Sequence, residues 1–529
     1  MKEKMDQLNI ILFLCNWGPN AAFQTLQDTG AAIPSETKMI RIPCTGRISK
    51  SLLIKAFEMG ADGVALVGCN PGGCMYGTGT VTARENTKDI RDILGLLGVG
   101  KERMRFVTFL PDESEELLGF IENFINEIRI LGHSPIALPC LPETKNDMSD
   151  SIREIVTSHN IISCQDCGKC TSACPLALMG KDFSPRALAG SILYGDIDSD
   201  KVKNDIWTCL TCGLCFDRCP SAVDFPKFIR DIRCLVNKEQ DSKEAHGGFF
   251  QSLMRTMTSP HLKIKHWDWL PEDIQIDQKG KVLFFGGCAP YFDIFFRKFL
   301  DINTSSILID SLRLLNFFDI QPAVLFEERC CGHDLLWSGD KENFIELAKL
   351  NIKAINDLGI EEVITSCPEC YRTLLHDYKE FGLETGFKVT HIYEFLEKEI
   401  DKGSVDFKKI DRRLTFQDSC RLSRFEDKSE LPRTLINYLK PDGFTEMQFK
   451  GRSAICCGNC AWTGCDSFSK ALQIQRLKQV HETKSDLLVT SCPKCQIHFK
   501  CAMEDPFLGK ALKIDIMDLT SVIAKTIHW

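Results

Sequence analysis

The sequence predicts a multidomain α/β protein: a small parallel α/β domain at the N-terminal end, an α-helical centre, and a C-terminal α/β region built from two repeats. Three observations carry this. Short apolar strands alternate with helical stretches over residues 1–132 and again from Lys281 onward, the pattern of parallel sheets covered by helices. Residues 159–245 hold two cysteine runs of identical spacing and read as helical between them. The region 281–529 repeats itself, with five cysteines recurring in one order.

In the N-terminal domain, Ile10–Leu14, Met39–Ile42, Gly63–Val67 and Arg105–Phe109 read as strands, and Ile48–Met59, Arg84–Leu97 and Ser114–Leu131 as helices. Residues 133–158 carry Pro135, Pro139 and Pro142 and then a polar stretch, and read as a linker. The cysteine-rich centre spans 159–245, and 246–280, with Trp267 and Trp269, reads as a connector. The C-terminal repeats occupy 281–400 and 411–529, and each places its Cys-x-x-Cys after a β-rich segment, Glu362–Thr365 and Leu487–Thr490. A chain of 529 residues with 44% hydrophobic content has enough apolar surface for several such domains.

Charge and cysteine usage narrow the class. A net charge of −8 without a clustered basic face argues against nucleic acid. The apolar run before Asn16 is six residues, too short for a signal segment or a membrane span, and no later run reaches the length of about 18 that a span needs. The expectation is a cytoplasmic protein without a membrane span, whose 27 cysteines serve as thiolate metal ligands rather than disulfides.

The two central runs are Cys164-x2-Cys167-x2-Cys170-x3-Cys174-Pro175 and Cys209-x2-Cys212-x2-Cys215-x3-Cys219-Pro220. This is the spacing of two-cluster ferredoxins, in which three close thiolates wrap one cubane and the fourth ligates the other. One [4Fe–4S] cubane is therefore expected on Cys164, Cys167, Cys170 and Cys219, and a second on Cys209, Cys212, Cys215 and Cys174. Zinc is the weaker reading, because zinc ribbons use pairs of cysteines rather than complete four-cysteine runs. With every corner protein-ligated, the two clusters suit electron transfer rather than substrate binding.

Each C-terminal repeat brings five cysteines: Cys288, Cys330, Cys331, Cys367 and Cys370 in the first, Cys420, Cys456, Cys457, Cys492 and Cys495 in the second. Five thiolates exceed what one zinc ion or an ordinary cubane takes. The strings CCGHDLLWSGD, CPECYRTL and CPKCQ make these repeats similar to the Cys-Cys-Gly domains of heterodisulfide reductase catalytic subunits, and the central runs resemble the small iron–sulfur subunit of the same enzyme. The resemblance implies that each set of five cysteines holds a noncubane [4Fe–4S] cluster and forms the catalytic pair that cleaves a disulfide of the CoM-S-S-CoB type. One departure is visible: where family members often carry glycines after the second Cys-Cys-Gly, this chain has Asn459-Cys460-Ala461-Trp462, followed by Cys465. His333 and His498, beside ligands, read as structural hydrogen bonders ahead of proton donors.

In the first domain Cys15, Cys44, Cys69 and Cys74 lie at or near strand ends, which suits one [2Fe–2S] site, with zinc or plain buried thiols as alternatives. FLCNW, IPCTGRI and GADGVALVGCNPGGCMYGTG resemble the delta chain of methyl-viologen-reducing hydrogenase, although Gly18 stands where that family usually has a further cysteine. The resemblance favours the [2Fe–2S] reading. Cys140, Cys234 and Cys501 have no cluster context, and no flavin or nicotinamide loop is present in the sequence. The combined expectation is an iron–sulfur oxidoreductase. Electrons would enter at the N-terminal cluster from a flavin-containing heterodisulfide-reductase-A-like subunit, a hydrogenase or a formate dehydrogenase within a hetero-oligomeric complex. The competing readings are a non-catalytic relay subunit of a hydroxy-acid or folate-linked oxidoreductase and, further off, an iron–sulfur sensor or scaffold.

Overall fold

The computed structural model describes residues 7–141, 148–236, 243–403, 405–507 and 509–528. Contacts divide the chain into two compact units: residues up to Cys140 together with His246–His266, and Leu141–Ala245 together with Trp267–Trp529.

The first unit is a four-stranded parallel sheet of β1 (Ile10–Cys15), β2 (Thr37–Ile42), β3 (Gly63–Gly68) and β4 (Met104–Thr108), in the order β2-β1-β3-β4. Ile10 pairs with both Thr37 and Gly63, so β1 and β3 are central. Every residue of β3 is buried, as expected for a parallel strand covered on both faces. Helices α1 (Gly18–Asp28), α2 (Lys50–Glu58), α3 (Gly79–Leu96) and α4 (Ser114–Leu131) connect and cover the strands. In α4 the apolar residues Leu117, Ile121, Phe124, Ile125 and Ile128 recur at helical spacing and pack on Leu12, Leu14, Ala65 and Val67. Glu115 and Glu116 in its first turn and Arg129 in its last complement the helix dipole. The four strands and three of these helices lie where the sequence places them; α1 is additional, opening on Pro19, a residue whose fixed φ suits a first helical turn.

Two stretches carry more structure than their composition suggests. Of the segment read as a connector, residues 249–256 form a helix packed against α2, with Phe249, Phe250, Leu253 and Met254 buried. Its Ser252 and Arg255 both reach the buried carboxylate of Glu58. Of the segment read as a linker, Met148–Ser158 is a helix whose Val156 joins the core of the second unit. Pro135 and Pro139 lie in irregular chain, and Pro142 falls outside the described residues.

The second unit joins a helical, cysteine-rich part to two parallel sheets. One sheet has β5 (Val282–Phe285), β6 (Glu362–Thr365) and β7 (Lys388–His391) in the order β5-β6-β7, with Ala323 bridging in parallel to Leu283 on the outer side of β5. The other has β8 (Arg413–Gln417), β9 (Gly443–Phe444), β10 (Leu487–Thr490) and β11 (Asp515–Asp518) in the order β11-β10-β8-β9. Taken in order, β8, β10 and β11 correspond to β5, β6 and β7, and β9 to the Ala323 bridge. The sequence repeat is thus a repeat of topology. The protein is mixed α/β with three parallel sheets, and among the described residues no helix is long and apolar enough to cross a membrane.

An ion-pair cluster ties the helical part together. Asp231 bonds His159 Nε2 at 2.7 Å and Arg230 Nε at 2.7 Å, while the Arg230 guanidinium also pairs with Glu380. Burial pushes the Asp231 carboxyl up, but the His159 bond and the Arg230 charge outweigh it and hold the carboxyl at about 2. A depressed carboxylate contributes stability that is complete above its unfolded pKa of about 3.9 and is lost as pH falls through the folded value. Asp231→Asn is expected to cost about 1–2 kcal/mol at pH 7, discounted for the partial exposure of Asp231, and to flatten the stability loss between about pH 4 and 2. Urea unfolding across that range checks both.

Candidate metal centres

All three sheets present cysteines at the carboxyl ends of their strands, where the strand order reverses. At such a switch point the following helices depart to opposite faces and leave a crevice. In the first unit Cys15 ends β1 and Cys69 follows β3, and their sulfurs lie 3.5 Å apart. Cys44, which follows β2, meets Cys74 at 3.9 Å. Burial and the neighbouring Cys15 push the Cys69 thiol up to about 11. At Cys74 burial also works against the thiolate, but the backbone N–H of Tyr76 and the contact with Cys44 outweigh it and hold the thiol below its ordinary range. The space is reserved for the sulfurs: a Cβ on Gly79 would sit 2.5 Å from the Cys44 Sγ and 2.8 Å from the Cys74 Sγ. Four converging thiols with a side-chain-free floor fit a small thiolate-held metal centre.

In the helical part, Cys164, Cys167, Cys170, Cys215 and Cys219 line one cavity. Cys174 lies away from its own run, buried in the same core as Cys209 and Cys212 and within electrostatic reach of both; burial pushes its thiol up to about 12. Cys174 thus lies near cysteines of the second run, and Cys219 near cysteines of the first. Gly168 and Gly213, after the second cysteine of each run, have φ of +78° and +84° and start the short helices that bring in the third.

The repeats build two equivalent thiol chains. In the first, Cys288 lies 3.2 Å from Cys330, and contacts continue through Cys331 and Cys370 to Cys367. In the second, the same order runs Cys420, Cys456, Cys457, Cys495, Cys492. Cys288 precedes a helix that follows β5, and Cys367 and Cys492 cap helices that start on Pro368 and Pro493. That placement sets both sulfurs of each Cys-Pro-x-Cys at a helix N-terminus, where thiolate is favoured. Within the first chain Cys330, bonded by Cys288 and Cys331, is held well below the ordinary thiol range, and its two neighbours are driven up. All five cysteines of the first repeat line one cavity, and a Cβ on Gly287 would approach the Cys370 Sγ to 2.9 Å. The donor sets and the cleared space fit an iron–sulfur group in each repeat. Binding one would require most of these thiols to lose their protons.

The second repeat touches the helical part directly: Cys212 and Cys456 share a side-chain hydrogen bond, which, with burial opposing and Arg424 assisting, holds Cys212 at about 6.

Between the repeats lies a buried polar seam that sequence reasoning did not assemble. Glu369 and Lys494 occupy the same place in the two Cys-Pro-x-Cys motifs and pair across the seam at 2.6 Å, and Lys494 also pairs with Asp334. His333 Nδ1 bonds Asp334 at 3.0 Å, and its Nε2 accepts from Arg421 Nε at 3.1 Å. Burial pushes His333 down to about 3, so it is a neutral hydrogen bonder and no proton donor near neutrality. Cys460 Sγ accepts from Arg421 Nη2 and from Thr211 Oγ1, each at 3.1 Å. His333, Glu369 and Cys460 approach one another closely enough to suggest a metal ion. Arg421 already occupies the imidazole and sulfur lone pairs, and Lys494 the carboxylate, which disfavours a cation there. The signal available in sequence was the opposite charge at positions 369 and 494 of otherwise matching motifs.

The departure at 459–462 has a structural form. Ala461 and Trp462 adopt φ of +52° and +51°, the left-handed region that favours glycine, at a cost of about 1–3 kcal/mol each. Trp462 is buried against Phe292, Phe296 and His498. Outside the sites, Cys140 and Cys465 are exposed, Cys234 is half-buried beside Arg230 and Asp231, and Cys501 contacts Lys470.

Strand-end thiol clusters on a parallel sheet, a two-run helical cysteine domain and a duplicated five-cysteine pocket define an iron–sulfur oxidoreductase component. Comparison with known proteins agrees. Residues 10–132 match the family of the methyl-viologen-reducing hydrogenase, delta subunit; residues 160–223 match the 4Fe-4S dicluster domain, and 282–375 and 414–500 the cysteine-rich domain. The chain is 27% identical to one component of the dihydromethanophenazine:CoB–CoM heterodisulfide reductase of Methanosarcina acetivorans, over 63% of this chain and 87% of that one. It is 32% identical to an iron–sulfur component of the F420-non-reducing hydrogenase vhc of Methanococcus voltae, over 23% of this chain and 85% of that one. It is 29% identical to the probable glycolate oxidase iron–sulfur subunit of Bacillus subtilis, over 46% and 54%. Residues 10–132 belong to the hydrogenase delta-subunit family, and the rest of the chain is similar to heterodisulfide reductase components of Methanosarcina at 24–27% identity.

Proposed function

We propose that the chain is a heterodisulfide-reductase-type catalytic subunit that takes electrons in at its hydrogenase-delta-type domain and delivers them to a disulfide or a related two-electron acceptor. The observation that carries this is the duplicated thiol chain, with the second copy in hydrogen-bond contact with a ferredoxin-type cysteine, Cys212 to Cys456. In this reading Cys15, Cys44, Cys69 and Cys74 hold a [2Fe–2S] cluster. The two central runs hold cubanes with exchanged fourth ligands, and the five cysteines of each repeat hold a noncubane [4Fe–4S] cluster. Such clusters, when bound, supply one-electron steps and iron that can take a sulfur. Two of them suit a disulfide, whose reduction needs two electrons. The chain's own residues supply the ligands, the aromatic wall of Phe292, Phe296 and Trp462, and the charged seam between the repeats.

A flavin-containing reductase subunit, a hydrogenase or a formate dehydrogenase in a hetero-oligomeric, cytoplasmic complex supplies the electrons. Relatives named as heterodisulfide reductase and hydrogenase components support this. The second reading is a relay for another oxidoreductase. It is favoured by Trp462, whose indole fills space beside the second repeat, and by the likeness to a glycolate oxidase component.

Anaerobic iron and sulfide analysis is expected to give about 18 irons per chain, one two-iron and four four-iron clusters; two or three zinc ions with little sulfide would overturn the cluster assignment. Turnover of a disulfide with reduced viologen supports catalysis. Fully loaded protein that reduces no disulfide but passes electrons to an added acceptor supports the relay.

A further inference from the structure

One cation lies where three cysteine-rich segments meet. Arg421 directly follows Cys420 of the second repeat. Its Nη1 donates to the Thr211 carbonyl at 2.8 Å and its Nη2 to the Thr211 hydroxyl at 3.1 Å, and Thr211 stands between Cys209 and Cys212. Nη2 also donates to the Cys460 sulfur, and Nε donates to His333, two residues past Cys331. The guanidinium sits in the corner of two edge-to-face aromatic rings, 4.0 Å from the Trp337 centroid and 4.6 Å from that of Phe425. Arg421 is 1% exposed.

These direct partners are a carbonyl, a hydroxyl, an imidazole and a thiol. None of them is a carboxylate, and Glu369 and Asp377 act on Arg421 only at longer range. A buried cation needs an anion to offset its desolvation. Burial opposes the Arg421 charge, and the sulfurs of Cys460 and Cys420 favour it; burial keeps Cys460 a thiol, so the anion within the second repeat's own ligand set is Cys420. Arg424, one turn on, adds a second cation on the same side, donating Nε to the Cys212 carbonyl at 2.7 Å. The first repeat is the reverse. Asp334 stands beside its thiol chain and acts on Cys288 and Cys330 as a like charge.

We propose that Arg421 is the buried counter-ion of two anionic clusters, the cubane on Cys209, Cys212, Cys215 and Cys174 and the second-repeat cluster on Cys420, and that it raises their reduction potentials so that electrons collect at this junction. Reduction adds negative charge, and a fixed cation in a dry site stabilises the reduced form more than the oxidised one. The inference rests on the cluster reading given above. Arg421 is a positioning residue, since it touches the ligand-bearing loops and not the reacting atoms.

The test is an EPR-monitored redox titration of the full, anaerobically purified chain. Wild-type protein with far fewer than about 18 irons overturns the cluster reading, and this inference with it. With wild type loaded, Arg421→Gln at full iron content is expected to move the midpoints of two [4Fe–4S] clusters to more negative values, leaving the [2Fe–2S] signal and the other cubane in place. Arg421→Lys, which keeps the charge and loses the fork, is expected to recover most of the shift. Unchanged midpoints in Arg421→Gln, or an equal shift of every cluster, would overturn the counter-ion role. If Arg421→Gln does not load its iron, Arg424→Gln decides: a smaller shift of the same two clusters supports the proposal, and no shift overturns it.

Discussion

Lys494→Met is expected to destabilise the protein by about 3–5 kcal/mol, the cost of removing one partner from a buried ion pair. Lys494 is nearly fully buried and its ammonium pairs with Asp334 and Glu369, both of them largely buried. Burial alone would lower the lysine, but the two carboxylates overcome this and keep it charged. Methionine nearly matches the side chain in volume, so the loss reports charge rather than a cavity. Asp334 and Glu369 would be left with His333 and little else, and His333 is held neutral by burial. The double variant Lys494→Met with Glu369→Gln is expected to recover part of the loss, because it removes one stranded carboxylate, and the non-additivity measures the pair. Urea unfolding followed by tryptophan fluorescence checks both, since Trp337 and Trp462 border the seam. A Lys494→Met cost below about 1 kcal/mol would show that the seam is hydrated and the pair screened.

The second large effect concerns the glycine of Cys-Cys-Gly. Gly458 has φ of +97°, and a Cβ there would lie 2.6 Å from the Ser469 carbonyl oxygen. An L side chain is strained at that φ whatever the space, and the clash is with helix backbone that cannot swing away. Gly458→Ala is expected to cost about 2–4 kcal/mol and to displace Cys456 and Cys457 from their partners, so that about four irons per chain are lost. Gly332 holds the equivalent place at φ of +88°, but its Cβ would meet the ring edge of Phe344 at 2.8 Å. A side chain can move, so Gly332→Ala is expected to be the milder of the two. Iron analysis beside thermal unfolding of the paired variants checks the ranking.

Much of the architecture was legible because the signals were local. The strands of the first unit are short β-branched and apolar runs, and Glu362–Thr365 and Leu487–Thr490 coincide with β6 and β10. Helix Met148–Ser158 and the helix at 249–256 were not legible. The first is polar on most of its surface and buries little beyond Val156 and Ser151. The second does carry one apolar stripe, Phe249, Phe250, Leu253 and Met254, but over only eight residues, too short a window to separate it from a connector. Both are fixed by what they dock against, the cysteine-rich core in one case and α2 in the other.

Sequence alone grouped the thiols of the two central runs by spacing, because a cluster's ligand spacing is imposed by bond lengths and turn geometry over a few residues. It also determined that the C-terminal region is a duplication, since five cysteines recur in order. Only the tertiary structure decided which motifs meet. The contact of Cys212 with Cys456, the ion pair of Glu369 with Lys494, and the place of Arg421 between Thr211 and His333 join residues that lie far apart in the chain. Such contacts leave no periodic trace in a sequence. They arise when strand-end crevices and loops of different segments are packed face to face, and low dielectric then makes each buried charge depend on the partner that packing supplies.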